Sequence, residues 1–113
     1  MDETIYKRST TGKGIRKKGD KNSLRLNIGN KSFQVHQKVF IGRNAENDIP
    51  LSDPLASRIH ASVEIMNGIY YLRDMDSTNG TYINGNPLKK GETRKLQRGD
   101  VIKIGNTELN LTN

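Results

Sequence analysis

Apolar and polar residues alternate in short runs along most of this chain. Leu24-Arg25-Leu26-Asn27-Ile28 steps with period two, the pattern of a strand with one buried face. Gly29-Asn30 then signals a turn, and Ser32 to Val35 reads as the return strand. Lys38 to Ile41 leads into Gly42. Asp48-Ile49-Pro50-Leu51 is a short strand that Pro50, lacking an N–H, either ends or confines to a sheet edge. Ala61, Val63 and Ile65 alternate again before Asn67-Gly68, a strong hairpin signal because both residues tolerate positive φ. Ile69 to Arg73 is the partner strand. Thr81 to Ile83 followed by Asn84-Gly85 repeats the signature. Leu88, Leu96 and the run Val101 to Ile104 supply later strands, and Gly105-Asn106 turns into Thr107 to Leu111. No apolar periodicity of a helix is sustained, and no repeat of fixed period occurs. Many short strands with frequent turn signals predict an all-β sandwich, with strand order left open.

The first 22 residues break this pattern. They carry Gly, Lys, Ser and Thr with almost no apolar side chains, too little to bury for a packed structure. The predicted organisation is therefore a disordered basic tail over residues 1–22 and a β-domain over residues 23–113. Thr4, Thr10 and Thr11 in the tail, with Ser9, are accessible to a kinase.

Composition narrows the function classes. With 113 residues there is room for one domain and a tail, and a hydrophobic fraction of 32% implies a modest core. There is no cysteine, so disulfides and cysteine-ligated metals are excluded, as fits a reducing compartment. The N-terminal stretch has no apolar signal-peptide core. Nor does any run reach the roughly 18 apolar residues of a membrane span. The expectation is a cytoplasmic protein without membrane partners. Three Asn-x-Ser/Thr sequons, at Asn30, Asn79 and Asn110, are then coincidental.

The net charge is +7, and residues 1–23 contribute +4 of it. Such basicity suits nucleic acid, a membrane surface or phosphate ligands, or simply a solvated tail. Four Tyr and two Phe leave little for base stacking, which makes nucleic acid a weak reading. No metal-ligand spacing or calcium-loop pattern is present. Gly12-Lys13-Gly14 lacks the spacing and following hydroxyl of a phosphate loop. No metal and no cofactor are expected, and His36 stands without ligand-spaced partners.

The chemistry concentrates between Gly42 and Gly85, in three polar clusters on loops between strands. They are Gly42-Arg43, Ser57-Arg58-Ile59-His60 and Ser77-Thr78-Asn79-Gly80-Thr81. Arginine offers a planar fork of donors suited to phosphate. Serine and threonine offer hydroxyls, and asparagine an amide that donates and accepts. Together they suit a bound anion with a peptide attached.

The combined spacing resembles the forkhead-associated (FHA) family: Gly-Arg, then Ser-Arg-x-His about fourteen residues on, then Ser-Thr-Asn-Gly-Thr and Asn84-Gly85. The resemblance covers roughly Leu24 to Leu111. It implies an eleven-stranded β-sandwich that binds phosphothreonine peptides through loops at one end. By that resemblance Arg43, Ser57 and Thr78 hold phosphate, Arg58 assists, and Asn79 bonds the main chain of the peptide. Gly42, His60 and Gly80 then support the loops, His60 by hydrogen bonds. A Ser57–His60 nucleophilic pair would need mutual contact and an orienting third group, which spacing does not supply. No enzyme is expected. The partners implied are phosphothreonine-containing proteins and a Ser/Thr protein kinase. The threonine-bearing tail resembles that of small bacterial FHA regulators whose phosphorylated tail docks on its own domain. It departs from them in lacking a paired threonine in acidic context, since Thr10-Thr11 sits among basic residues. Two rival readings are a scaffold that uses the fold without phosphate recognition, as in some secretion-system parts, and a nucleic-acid binder working through the tail.

Overall fold

The computed structural model describes residues 23–112. The expected tail, with Thr4, Thr10 and Thr11, lies outside them.

Eleven strands follow in chain order: β1 Arg25–Ile28, β2 Lys31–Gln34, β3 Lys38–Gly42, β4 Ile49–Pro50, β5 Ala61–Met66, β6 Ile69–Asp74, β7 Thr81–Ile83, β8 Asn86–Pro87, β9 Thr93–Leu96, β10 Val101–Ile104 and β11 Thr107–Thr112. They form two sheets, one ordered β2-β1-β11-β10-β7-β8 and the other β4-β3-β5-β6-β9. All pairings are antiparallel except β3 with β4. The all-β sandwich expected from the alternation is the observed architecture, and no helix occurs among the described residues.

The period-two residues fill the space between the sheets. Leu26 pairs in register with Leu111, and Ile102 with both Leu109 and Ile83. Val63 lies between Val39 and Leu72 in the other sheet. Leu26, Ile41, Val63, Leu72, Ile102, Ile104, Leu109 and Leu111 are all completely buried. Burying such a side chain contributes about 1.5–3 kcal/mol, so this layer supplies the rigidity on which the loops stand. The Tyr70 hydroxyl accepts from the Leu24 N–H at 2.9 Å and fastens the start of the domain.

The turns match their sequence signals. Asn67 and Gly68 take φ of 53° and 78°, and Asn84 and Gly85 take 50° and 84°, the two consecutive positive values of a tight hairpin turn. Pro50 lies on β4, at the edge of its sheet. Two expectations are corrected. Leu88 is not in a strand: β8 ends at Pro87, and Leu88 instead buries its side chain and donates its N–H to Thr81 O at 2.9 Å. Gly42 is the last residue of β3 and not a loop residue.

Candidate functional site

Three loops meet at one end of the sandwich: residues 43–48, 51–60 and 75–80. The middle one is the hub. Towards the first loop, Ser57 O accepts from the Arg43 N–H at 2.9 Å, and Arg58 O accepts from the Asn44 N–H at 3.1 Å. Arg58 O accepts again from Asn47 Nδ2 at 2.7 Å. Towards the third loop, Ser57 Oγ accepts from the Thr78 N–H at 3.0 Å. Asn79 Nδ2 donates to Leu55 O at 2.9 Å.

Gly42 explains why the first two loops can approach so closely. A Cβ there would lie 2.3 Å from Arg58 O and 2.9 Å from its carbonyl carbon, distances no side chain tolerates. The absent side chain of Gly42 is what leaves room for that approach. Gly80 supports the third loop differently, by taking φ of 94°, a conformation open to glycine.

His60 is the central brace. It is completely buried. Its Nδ1 accepts from the Ser57 N–H at 2.9 Å, and its Nε2 lies 2.8 Å from Gly80 O. A carbonyl only accepts, so the proton resides on Nε2 and the imidazole is neutral. Both ring nitrogens are therefore occupied by backbone. Neither contacts the Ser57 hydroxyl, and the arrangement has no place for a general base.

Two buried carboxylates complete the framework, and sequence reasoning missed both. Asp74 accepts from the Ser77 hydroxyl and from the Ser77 N–H at 3.2 Å, and from the Thr81 hydroxyl at 2.7 Å. Burial pushes its carboxyl up, but the hydrogen bonds from Ser77, Thr81 and the Gly91 N–H outweigh it and hold the carboxyl below its ordinary value of about 3.8. Asp53 accepts from the Thr107 hydroxyl and the Asn106 N–H, each at 2.7 Å, and from the Leu55 N–H at 2.9 Å. These bonds, with Thr107 the largest contributor, lower its carboxyl against the opposing effect of burial. Asp53 thereby ties the hub loop to the β10–β11 turn, and Asp74 holds the third loop from within. Their bonds to the Leu55 and Ser77 N–H groups are the local turns that aspartate favours, but those to Thr81, Asn106 and Thr107 left no mark in the local sequence.

This framework spends some groups and leaves others free. Arg43 Nε donates to Ala56 O at 3.0 Å, which fixes the guanidinium and leaves its terminal nitrogens unpaired. Ser57 Oγ accepts one bond, so its own proton remains to donate. Among the described residues the Thr78 hydroxyl and the Arg58 guanidinium make no hydrogen bond or ion pair. Arg43, Ser57, Arg58 and Thr78 line one cavity of about 600 Å³, together with Asn44, Ile59 and Asp76. Asn79 does not line it. Its side chain lines the adjoining hollow of about 580 Å³, with Leu55 and Tyr82, so the structure separates the four candidate phosphate groups from the candidate peptide contact. The other sequence-level candidate, His36, takes part in no site, and no group of metal-ligating residues occurs among those described.

Known proteins resemble this chain in sequence and in fold. Residues 39–105 match the family described as FHA domain. The chain is 43% identical to an oxoglutarate dehydrogenase inhibitor of Corynebacterium efficiens over 60% of this chain and 46% of that one. It is 37% identical to the glycogen accumulation regulator GarA of Mycobacterium tuberculosis, over 74% and 49%, and 32% identical to protein FraH of a Nostoc species, over 74% and 27%. The chain thus spans about half or less of the length of these relatives. Among solved structures, an FHA domain analysed for phosphothreonine-dependent interactions superposes with a TM-score of 0.74 at 28% identity, covering 80% of this chain and 96% of that one. The MEK1 FHA domain in complex with a phosphothreonine peptide of HOP1 superposes at 0.72 with 30% identity, covering 80% and 95%. Inhibitor and regulator are the roles that two of these relatives' names carry. The family match spans more than half of the chain, and the chain belongs to the FHA domain family.

Proposed function

We propose that this domain binds phosphothreonine peptides and recruits phosphorylated partners in Ser/Thr kinase signalling. One observation carries the reading: the loop framework consumes Arg43 Nε and the acceptor side of Ser57 Oγ, yet leaves unpaired donors of Arg43, Ser57, Arg58 and Thr78 at one cavity. Donors gathered at one cavity, those of Arg43 and Ser57 fixed by bonds to backbone, suit a tetrahedral anion. Arg43 supplies the charged fork, Ser57 and Thr78 the hydroxyls, and Arg58 a second charge. Asn79 retains its carbonyl oxygen and one N–H beside the cavity, a matched pair for the main chain of an extended peptide.

The domain would run over residues 23–113 and act by proximity, without cofactor or metal. The proposed setting is the cytoplasm. No helix among the described residues is long and apolar enough to cross a membrane. Thr4, Thr10 and Thr11 are the proposed kinase targets, and the tail bearing them is the proposed internal ligand. Fully extended, 22 residues reach about 70 Å, several times the roughly 12 Å radius of a 90-residue domain.

The test is a titration of the unphosphorylated chain with a degenerate phosphothreonine library, alongside phosphoserine and unphosphorylated pools. Binding confined to phosphothreonine is expected. Arg43→Ala should then lose about 2–4 kcal/mol, or roughly 30–1,000-fold, while remaining folded. No binding in any pool, or full affinity in a folded Arg43→Ala chain, overturns the reading in favour of a scaffold without phosphate recognition.

A further inference from the structure

The cavity lined by Arg43, Ser57, Arg58 and Thr78 also contains a carboxylate, that of Asp76. Phosphate recognition gives no reason for it, since an anion beside a bound phosphate is repelled. Two features of the Asp76 backbone show that its position is held and not incidental. Its backbone takes φ of 57°, the left-handed region that non-glycine residues enter at a cost, aspartate less than most. Its neighbours on both sides are fixed: the Met75 N–H donates to His60 O at 2.9 Å, and Ser77 is bonded to Asp74 through both N–H and hydroxyl. Its own carboxylate is exposed and makes no hydrogen bond to another described residue. It also forms no ion pair with Arg43 or Arg58 despite lining the same cavity; the ion pair observed among the described residues is Arg94 with Glu92 at 2.8 Å.

An unpaired charge carried on a fixed stretch of backbone, at a site of opposite charge, is an electrostatic selector. We propose that Asp76 sets the specificity of the phosphothreonine site by favouring a lysine or arginine close to the phosphothreonine and rejecting a glutamate or a second phosphate there. This rests on the phosphothreonine reading above and adds the class of ligand to it. Arg43 and Arg58 meet the phosphate; Asp76 meets what flanks it. The cation of a flanking lysine completes an exposed ion pair. A flanking anion faces an uncompensated like charge, the costlier of the two cases. The two effects act in the same direction. They amount to about tenfold between a lysine-flanked and a glutamate-flanked peptide at low salt, shrinking as ionic strength rises.

The experiment uses the full chain and synthetic phosphothreonine peptides of one parent sequence. Lysine, glutamate or a second phosphothreonine is placed in turn at each neighbouring position, and affinity is read by fluorescence anisotropy. The unmodified chain is expected to rank the lysine peptides first and the doubly phosphorylated ones last at one or more positions. Asp76→Asn keeps the shape and tolerates the backbone, and Asp76→Gly removes the side chain and relieves the φ. Both should erase that ranking and bind the acidic peptides more tightly than the unmodified chain does. If both variants keep the original ranking, or if the unmodified chain shows no preference at any position, Asp76 is not the selector. Failure to bind any phosphothreonine peptide would instead defeat the phosphothreonine reading itself, so the two failures are distinct.

Discussion

Gly42→Ala puts a single methyl group where the first two loops touch. The added carbon would sit 2.3 Å from Arg58 O, against 3.4 Å for the onset of ordinary contact. One side must therefore retreat by about 1 Å, and neither can do so freely. Gly42 is a strand residue whose O accepts from the Leu51 N–H at 2.8 Å. Arg58 O is the acceptor for Asn44 N–H and Asn47 Nδ2, and both bonds lengthen if it moves. Overpacking of this kind costs about 1–3 kcal/mol, and each weakened hydrogen bond about 0.5–1.5 kcal/mol. A total near 3 kcal/mol corresponds to a Tm fall of about 12–24 °C for a domain of this size. That is survivable for a domain with several kcal/mol in hand. The displaced segment carries Ser57 and Arg58, so affinity should fall as well, although Gly42 would touch no ligand. Thermal denaturation and phosphopeptide titration of the same sample measure both. A variant with unchanged Tm and unchanged affinity would refute the close-approach argument. One with lowered Tm but full affinity would show that the loop geometry does not set the site.

Other outcomes follow from the framework. His60→Ala should leave the Ser57 N–H and Gly80 O unpaired in a buried site and cost about 2–4 kcal/mol. It should also lower phosphopeptide affinity with Arg43 intact; denaturant midpoint and titration together check this, and a variant normal in both would end the bracing role. Asp74 contributes to acid sensitivity with a definite sign, because its carboxyl is lowered in the folded state. Its stabilisation is fully present above the ordinary aspartate value and is lost as pH falls through that value towards the folded one. Urea midpoints from neutral pH down to about pH 3 should show the gap between the unmodified chain and Asp74→Asn widest at neutral pH and narrowing on acidification. A gap that stays constant would mean the carboxylate charge is irrelevant.

What was legible in the sequence, and what was not, divides along the range of the interactions. Strand alternation and the two-residue turns are local, and so β1, β5, β6 and the Asn67-Gly68 and Asn84-Gly85 hairpins could be read off directly. The polar clusters were visible because runs of Ser, Thr, Asn, Arg and His interrupt the apolar alternation, but that pattern did not show that His60, Ser77 and Thr81 within them are completely buried. Strand order was not legible, since β1 pairs with β11 across the whole length of the domain and alternation says only which face is buried. Leu88 misled for a related reason: an apolar residue after a proline signals burial, but not the element that achieves it. The same holds for the site. Arg43, Ser57, Arg58 and Thr78 converge because Asp53 and Asp74 hold the loops from beneath, and a buried carboxylate looks in sequence like any surface aspartate. Asp53 in particular acts across more than fifty residues, on Asn106 and Thr107. Its oxygens also lie 2.7 Å from the position a Cβ would take at Gly105. The turn signal Gly105-Asn106, read as the turn into Thr107 to Leu111, is at once the socket for the carboxylate that steadies the binding loop. A residue required for folding and one required for recognition can thus be the same residue, and no local pattern separates the two demands.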